Sequence, residues 1–519
     1  MEDKIFQKIF PFSSPRNNQR EIIEKIINAF NNGKTHVILQ APTGTGKSCI
    51  AYAIAKYFGE AYILTNQKIL QEQYNKELHI PYILGRSNYL CKKDNNLTCE
   101  MGVCKGQQAN YCDNCPYLEA KDIAFASEIT NMNYSYFLNI IKTKKLPART
   151  LIVNDECHTL EQELIKTSTI KLSEKALSYL GIIDSNFPKI TDTDKEKFNW
   201  LFNIILPKIK VQYLYFKNQI TQFKKFNFSK DYKRIINKYL ALERIITIIQ
   251  EILNQLKNNQ KIIIHSNENY IEFKVLYGNN LFKTCLQSMG NKFLHMSATV
   301  LSKEQYCKNL GLSLDEVEYF EYDSIFPIKN RLIHYIPVGS LAWNKKNKTI
   351  PKLIPQIQKI LKKHSNEKGI IHTVNYELAE IIINALNETI EGNRLLMPKG
   401  NNRQNILNAF YVSNRPYVLI SPSLTEGLDL KEDLSRFCII CKMPFANIAD
   451  NWIKERMKHD INWYNYYTVE QLIQMTGRSI RSETDFATSY ILDESFLNFA
   501  IHNQFMFPKW WKNAVIDDE

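Results

Sequence analysis

The stretch THVILQAPTGTGKSCIAYAIAKYF, residues 35–58, limits what this chain can fold into: an apolar run passes through a glycine-bearing loop straight into a helical run. A strand followed at once by a helix opens a crossover unit, and crossover units build parallel sheets. The same rhythm returns along the chain. EAYILT (60–65), RTLIVNDECH (149–158) and NKFLHMSAT (291–299) read as further buried strands, and NQKILQEQY (66–74) starts a helix. In the second half KGIIHTV (368–374), YVLISPS (417–423), RFCIICKMPF (436–445) and FATSYILD (486–493) repeat the pattern, with NYELAEIIINAL (375–386) helical between them. The expected fold class is α/β, with two parallel-sheet domains as the base architecture.

APTGTGKS (41–48) stands between strand and helix, where a phosphate-binding loop belongs. Glycines let backbone N–H groups turn inward around phosphate oxygens, Lys47 reaches the β- and γ-phosphates, and the Ser48 hydroxyl ligates magnesium. The candidate nucleotide contacts are Ala41, Thr43, Gly44, Thr45, Gly46, Lys47 and Ser48, with Ala41 at a position where the strict pattern has glycine. NDECH (154–158) supplies what the loop lacks: Asp155 to hold the magnesium, and Glu156 to orient and deprotonate an attacking water. Near the C-terminus, in QLIQMTGRSIRSETD (471–485), Gln474, Arg478 and Arg481 fall at spacings of four and three, on one helical face. Arginines on a second domain can reach a nucleotide on the first and stabilise charge on the transferring phosphoryl group. An ATP site split in this way couples hydrolysis to domain closure.

Two segments break the rhythm. One, roughly 165 to 260, is helical and strongly basic. There Ile235, Tyr239, Leu242, Ile246, Ile249, Leu253 and Leu256 make a seam that can pack lengthwise on NWLFNIILPKIKVQYLYF (199–216), whose Pro207 should kink or split its helix. The other runs from 88 to 121 and puts Cys91, Cys99, Cys104, Cys112 and Cys115 within 25 residues; the remaining six of the 11 cysteines are scattered. The N-terminal MEDKIFQKIF has no long apolar core of a secretory signal, and no stretch approaches the ~18 apolar residues of a membrane span. A cytosolic or nuclear compartment is expected, and in a reducing compartment clustered thiols point to a metal or cofactor rather than to disulfides. Four thiolates suit an iron–sulfur cluster or a tetrahedral zinc, and five are present. The excess of 66 basic over 53 acidic residues, a net +13, suits a polyanionic partner.

The order APTGTGKS, YILTNQKILQEQY, NDECH, MSAT, SPSLTEGLDL, QMTGRSIR resembles superfamily 2 helicases, and the GRSNYLC…CPY loop between the first two ATPase motifs resembles their iron–sulfur XPD/DinG branch. The resemblance runs from about residue 16 to about 495. It implies two RecA-like motor domains, an ATP- and magnesium-dependent DNA helicase that translocates 5′ to 3′ on single strands, and a 4Fe–4S cluster in the cysteine loop. It also implies that the helical insertion is the family's arch domain. The corresponding division is 1–84, 116–164 and 261–315 for the first motor domain, 85–115 for the cluster insertion, 165–260 for the arch and 316–519 for the second motor domain.

Residue by residue, the resemblance makes Gln19 the upstream glutamine near the adenine and puts Thr65 and Gln71 on the DNA backbone. It gives His158 the coupling to Ser297, Ala298 and Thr299. Thr373, Thr425, Glu426, Gly427 and Asp429 become contacts of the second motor domain, with Gly427 and Asp429 at the nucleotide. Cys91 and Cys115 match the family's first and last cluster ligands. Cys104 and Cys112 are preferred as the middle pair, because Cys112 and Cys115 form a C-x-x-C turn; Cys99 in place of either stays open. Single-stranded and forked or duplex DNA are the expected partners of a monomeric motor, with no membrane. A translocase or remodeller with little strand separation is the alternative, and RNA is a lesser alternative track.

Overall fold

The computed structural model describes residues 1–16, 18–102, 114–143, 146–184, 186–222, 230–422, 430, 432–477 and 485–517. Two seven-stranded sheets dominate it. The first takes the order β12-β1-β11-β7-β2-β6-β3, where β1 is His36–Gln40, β2 Ala61–Thr65, β3 Tyr82–Ile83, β6 Ile129–Asn133, β7 Arg149–Asp155, β11 Gly290–Ser297 and β12 Val317–Glu321. Every neighbouring pair is parallel. The strands after which NDECH and MSAT begin therefore lie side by side with the strand that feeds the phosphate loop, and Gln40 of β1 stands opposite Ser297 of β11. Strands covered on both faces read as unbroken apolar runs, which is why β1 and β7 were legible. Helices Gln19–Asn31 and Lys47–Phe58 cover one face, burying Ile22, Ile23, Ile26, Ile50 and Ile54.

The second sheet, β15-β16-β14-β17-β18-β13-β19, is also parallel throughout. It comprises β13 Ile333–Gly339, β14 Gly369–His372, β15 Leu395–Leu396, β16 Val418–Ser421, β17 Phe437–Ile440, β18 Thr488–Asp493 and β19 Val515–Asp517. Helices Lys346–Lys363 and Tyr376–Leu386 pack one face, and Ile461–Thr476 with Ser495–His502 the other. Cys438 and Cys441 are buried on these opposite faces, as packing residues of the sheet.

Both insertions interrupt the first sheet, the cysteine loop between β3 and β6 and the helical one between β7 and β11. The cysteine loop opens with a hairpin of β4 (Leu90–Cys91) and β5 (Asp94–Thr98). The helical insertion is rooted in a small antiparallel sheet, β8-β10-β9, of Thr169–Leu172, Ile271–Val275 and Ile262–Ser266. Its long helices Leu206–Gln222 and Lys230–Lys257 pack together, Tyr213 stacking on Tyr239 with ring centroids 4.9 Å apart. Pro207 acts as its missing N–H requires: the turns before it, Trp200–Ile205, widen to a π-helix, and an ordinary α-helix resumes at Leu206. Insertion and loop touch, Tyr232 donating to the Met101 carbonyl (3.1 Å) while Arg244 pairs with Glu100.

Helix Asn451–His459 of the second motor domain is fastened to the first. Arg456, 1% exposed, pairs with Glu161 at 2.8 Å and donates to the Leu276 carbonyl and to Asn309. Trp452 donates to the Val275 carbonyl at 2.8 Å. Asp460, which caps the next helix by accepting from Trp463 N–H, is gripped by Lys308 (2.7 Å) and Gln305 (2.9 Å).

Candidate nucleotide and nucleic-acid motor site

The phosphate loop follows β1 and turns into helix Lys47–Phe58. Gly44 and Gly46 have φ of +89° and +78°, a region costly for any residue with a Cβ. Gln19 braces the loop: its amide donates to the Thr45 carbonyl (3.0 Å) and accepts from Arg16 N–H (2.8 Å). A Cβ on Gly46 would lie 2.2 Å from the Gln19 amide nitrogen, so the glycine and the glutamine require one another. Lys47 donates to the Ala41 carbonyl at 3.1 Å, and Thr45 Oγ1 to the Pro42 carbonyl at 2.8 Å; Thr43 lines the cleft between the two motor domains.

Asp155 ends β7 fully buried. Its Oδ2 accepts from Tyr74 at 2.9 Å and its Oδ1 from Glu156 N–H at 3.1 Å. Burial, together with the neighbouring Glu156 charge, pushes this carboxyl up to about 6, while Lys47 and Tyr74 pull it back. Ser48 stands beside the same tyrosine, so Ser48, Asp155 and Tyr74 form one polar corner suited to a hard cation held by oxygen ligands. Glu156 adopts a left-handed backbone, φ +54°, and leaves its carboxylate partly exposed to the cleft. Strain of this kind persists where the surroundings dictate a side chain's direction.

His158 joins three motifs across the domain boundary. Its Nδ1 lies 2.8 Å from Ser297 Oγ and 3.4 Å from Glu156, and its Nε2 lies 2.8 Å from the Gln474 amide nitrogen of the second motor domain. Gln474 also reaches Thr299 Oγ1 at 3.3 Å, and Ser297 Oγ accepts from Thr299 N–H. A neutral ring with the proton on Nδ1 satisfies all of these contacts. His295, by contrast, is a core residue, wedged between His36 (3.1 Å) and Tyr306 (2.9 Å), and burial holds His36 near 4 and His295 well below the ordinary range.

Of the sequence-derived site, Gln19, Ala41 to Ser48, Asp155, Glu156 and Gln474 converge on this cleft. Thr65 and Gln71 are buried at the end of β2 and on helix Lys68–Leu78, Gln71 donating to the Ile83 carbonyl. Thr373 follows β14 and is buried. Arg478, Arg481, Thr425, Glu426, Gly427, Asp429, Cys104 and Cys112 lie outside the described residues. Sequence reasoning missed Tyr74, Phe326 and Arg331. Tyr74 ends the YILTNQKILQEQY stretch with no role marked for it, no motif marks Phe326 or Arg331, and only the fold brings the three to the loop.

In the cysteine loop, Cys91, Cys99 and Cys115 are all buried. Cys115 is the N-cap residue of helix Pro116–Ala126. Its Sγ lies 3.8 Å from that of Cys99, whose thiol is pushed up to about 12 by burial and by the neighbouring Cys115 and Cys91. Thiols crowded in this way gain from a cation that discharges them, so the donor chemistry fits a thiolate-bound cluster. Among the described residues no three metal-ligating groups converge on one point, nor is any helix long and apolar enough to cross a membrane.

Known proteins share this design. Residues 12–191 match the model of the type III restriction enzyme res subunit, and residues 357–514 that of a helicase C-terminal domain. The chain is 24% identical to a probable ATP-dependent helicase of Methanocaldococcus jannaschii, over 94% of this chain and 93% of that protein. It is 22% identical to the ATP-dependent DNA helicase CHL1 of Vanderwaltozyma polyspora, over 77% of this chain and 58% of the relative. Among solved structures, an XPD helicase matches with a TM-score of 0.67 at 15% identity, covering 98% of this chain and 100% of its own. S. tokodaii Xpd4 matches with 0.62 at 16%, covering 97% and 100%. Two parallel-sheet domains close a phosphate loop, an acidic strand end and a glutamine-bearing helix around one cleft, and the chain shares the fold of the XPD helicases. Its two halves match family models of a restriction-enzyme subunit and a helicase C-terminal domain.

Proposed function

We propose that the chain is an ATP-dependent DNA helicase that moves 5′ to 3′ along single-stranded DNA and unwinds duplex ahead of it. The observation that carries this reading is the His158–Gln474 bond, because it ties the acidic strand end of one motor domain to the helix Ile461–Thr476 of the other. In the proposed cycle the loop N–H groups and Lys47 hold the phosphates, Ser48 and Asp155 hold magnesium, and Arg478 and Arg481 close from the second domain. Glu156 takes the proton of the attacking water, with His158 holding its carboxylate side of the site in register with Ser297 and Thr299. Closure then shifts one domain's grip along the DNA backbone relative to the other's.

The cysteine loop is proposed to hold a 4Fe–4S cluster through Cys91, Cys115 and two of Cys99, Cys104 and Cys112; the contact of Cys99 with Cys115 favours including Cys99. When bound, such a cluster supplies a rigid cross-link that fixes the loop against the arch. One distance favours a second reading. A 3.8 Å Sγ–Sγ separation equals the edge of a tetrahedron with zinc–sulfur bonds of about 2.3 Å.

Three measurements test these readings. Lys47→Ala should abolish DNA-stimulated ATP hydrolysis, and preserved turnover would sink the nucleotide assignment. Strand displacement on duplexes with only a 5′ or only a 3′ tail tests polarity and unwinding; hydrolysis without displacement on either leaves a translocase. Iron, sulfide and zinc per chain, after anaerobic purification, decide the metal.

A further inference from the structure

The connector between the motor domains, residues 322–332, runs through the cleft rather than around it. Phe326 is buried with its ring against the phosphate loop, so close that a Cβ on Gly44 would meet Cζ at 2.2 Å. A single 3₁₀ turn, Ile328–Asn330, then folds the chain back and delivers Arg331 to the same cleft. There its Nε donates to the Phe326 carbonyl at 3.2 Å and its Nη1 to the Trp510 carbonyl, with the guanidinium 5.6 Å from the centre of the Trp510 ring. Arg331 lines a cavity of about 190 Å³ together with Thr43, Glu156, His158 and Gln474.

What sets this arginine apart from a structural clip is how few of its donors are engaged. Among the described residues no carboxylate lies within 4 Å of it, a trait shared by the buried Arg149 and Arg394, but those two make five and four hydrogen bonds while Arg331 makes two. Burial weakens its hold on its proton and the more distant Asp323 only partly restores it. The two carbonyls engage two of its five N–H donors and cannot neutralise the charge. A half-buried cation without a counter-ion is costly, and the cost is recovered when an anion enters.

We propose that Arg331 is a phosphate ligand of the bound nucleoside triphosphate, a cation supplied by the connector in addition to Lys47 of the loop and the proposed Arg478 and Arg481. Its forked donors suit the terminal phosphate, the part of the nucleotide that faces Glu156 and Gln474. Its anchors come from the connector and from the C-terminal segment of the second motor domain, so its reach into the cavity depends on how far the domains are closed. The inference rests on the nucleotide reading of the site.

The test compares wild type, Arg331→Gln, Arg331→Lys and Lys47→Ala by equilibrium binding of a fluorescent non-hydrolysable ATP analogue and of fluorescent ADP. The melting midpoint without nucleotide is measured beside them. Losing a charge-assisted contact predicts at least about a tenfold weaker triphosphate affinity for Arg331→Gln, with ADP affinity changed less than about threefold. The nucleotide-free melting midpoint should be unchanged, and Arg331→Lys should recover part of the loss. Unchanged triphosphate affinity overturns the proposal, as does an equal loss for both nucleotides accompanied by a lower melting midpoint, which marks a structural clip. Failure of the wild type to bind ATP at all would overturn the nucleotide reading itself. Binding that is lost in Lys47→Ala but intact in Arg331→Gln would refute only the role of Arg331.

Discussion

Replacing Arg456 with methionine removes the cation that fastens the second motor domain to the first. The shape of the side chain is nearly kept, but Glu161 loses its 2.8 Å partner and keeps only the Gly278 N–H at 3.4 Å. Removing one member of a buried ion pair costs ~3–5 kcal/mol, mostly because the orphaned charge stays out of water. The sign of the pH dependence follows from the same residue. Burial already holds the Glu161 carboxyl above its ordinary range against the pull of Arg456, and without Arg456 it rises further. A carboxyl whose folded value is raised destabilises the fold above that value and is relieved as it protonates. The deficit of Arg456→Met should therefore be largest at alkaline pH and shrink as acidification protonates Glu161. Urea denaturation of both proteins across the pH range in which they stay folded measures it, and Glu161→Leu added to Arg456→Met should restore much of the loss. A deficit below ~1 kcal/mol, or one that does not shrink anywhere in that range, would show that the pair does not hold the interface.

Tyr74→Phe removes only the hydroxyl that steadies Asp155, so magnesium affinity should fall several-fold with little change in melting midpoint. Because the unmetallated carboxyl sits near 6, magnesium-dependent nucleotide binding should be flat above pH 7 and weaken below 6, with the midpoint higher in Tyr74→Phe. A magnesium titration from pH 5.5 to 8 reads both effects, and a flat profile contradicts the assignment of Asp155. Gln474→Ala should leave ATP affinity within a few-fold but reduce DNA-stimulated turnover, since it breaks the bond between His158 and the second motor domain; unchanged stimulation argues against the relay. Gly44→Ala introduces both a left-handed alanine and a clash with Phe326, and should cost nucleotide binding that Phe326→Ala restores only in part.

The sheets were legible because their strands are apolar on both faces. The phosphate loop and the acids after β7 were legible because their chemistry is written locally. β6 was not. Its sequence, ITNMN, has no apolar run, and its polar side chains are buried all the same; Thr130, for one, is held by Arg149 and by the Ala124 carbonyl. The Asp155–Tyr74 and Arg331–Trp510 contacts join residues 81 and 179 positions apart, and no spacing rule reaches that far. The same holds for Cys99. Its place beside Cys115 is set by the β4–β5 hairpin, which the count of residues between cysteines does not reveal. Pro207 announced a break in its helix, though not that the break would take the form of a π-helical stretch.

The grip of Lys308 and Gln305 on Asp460 makes a lever of the helix that follows. Ile461–Thr476 is 16 residues long, about 24 Å at 1.5 Å per residue, with its start held on the first motor domain and Gln474, bonded to His158, near its far end. A tilt of ~10° about Asp460 sweeps the far end through ~4 Å while the near end stays seated. In the proposed cycle, closure about this joint would move the far end of the helix most, while Asp460 stays held by Lys308 and Gln305.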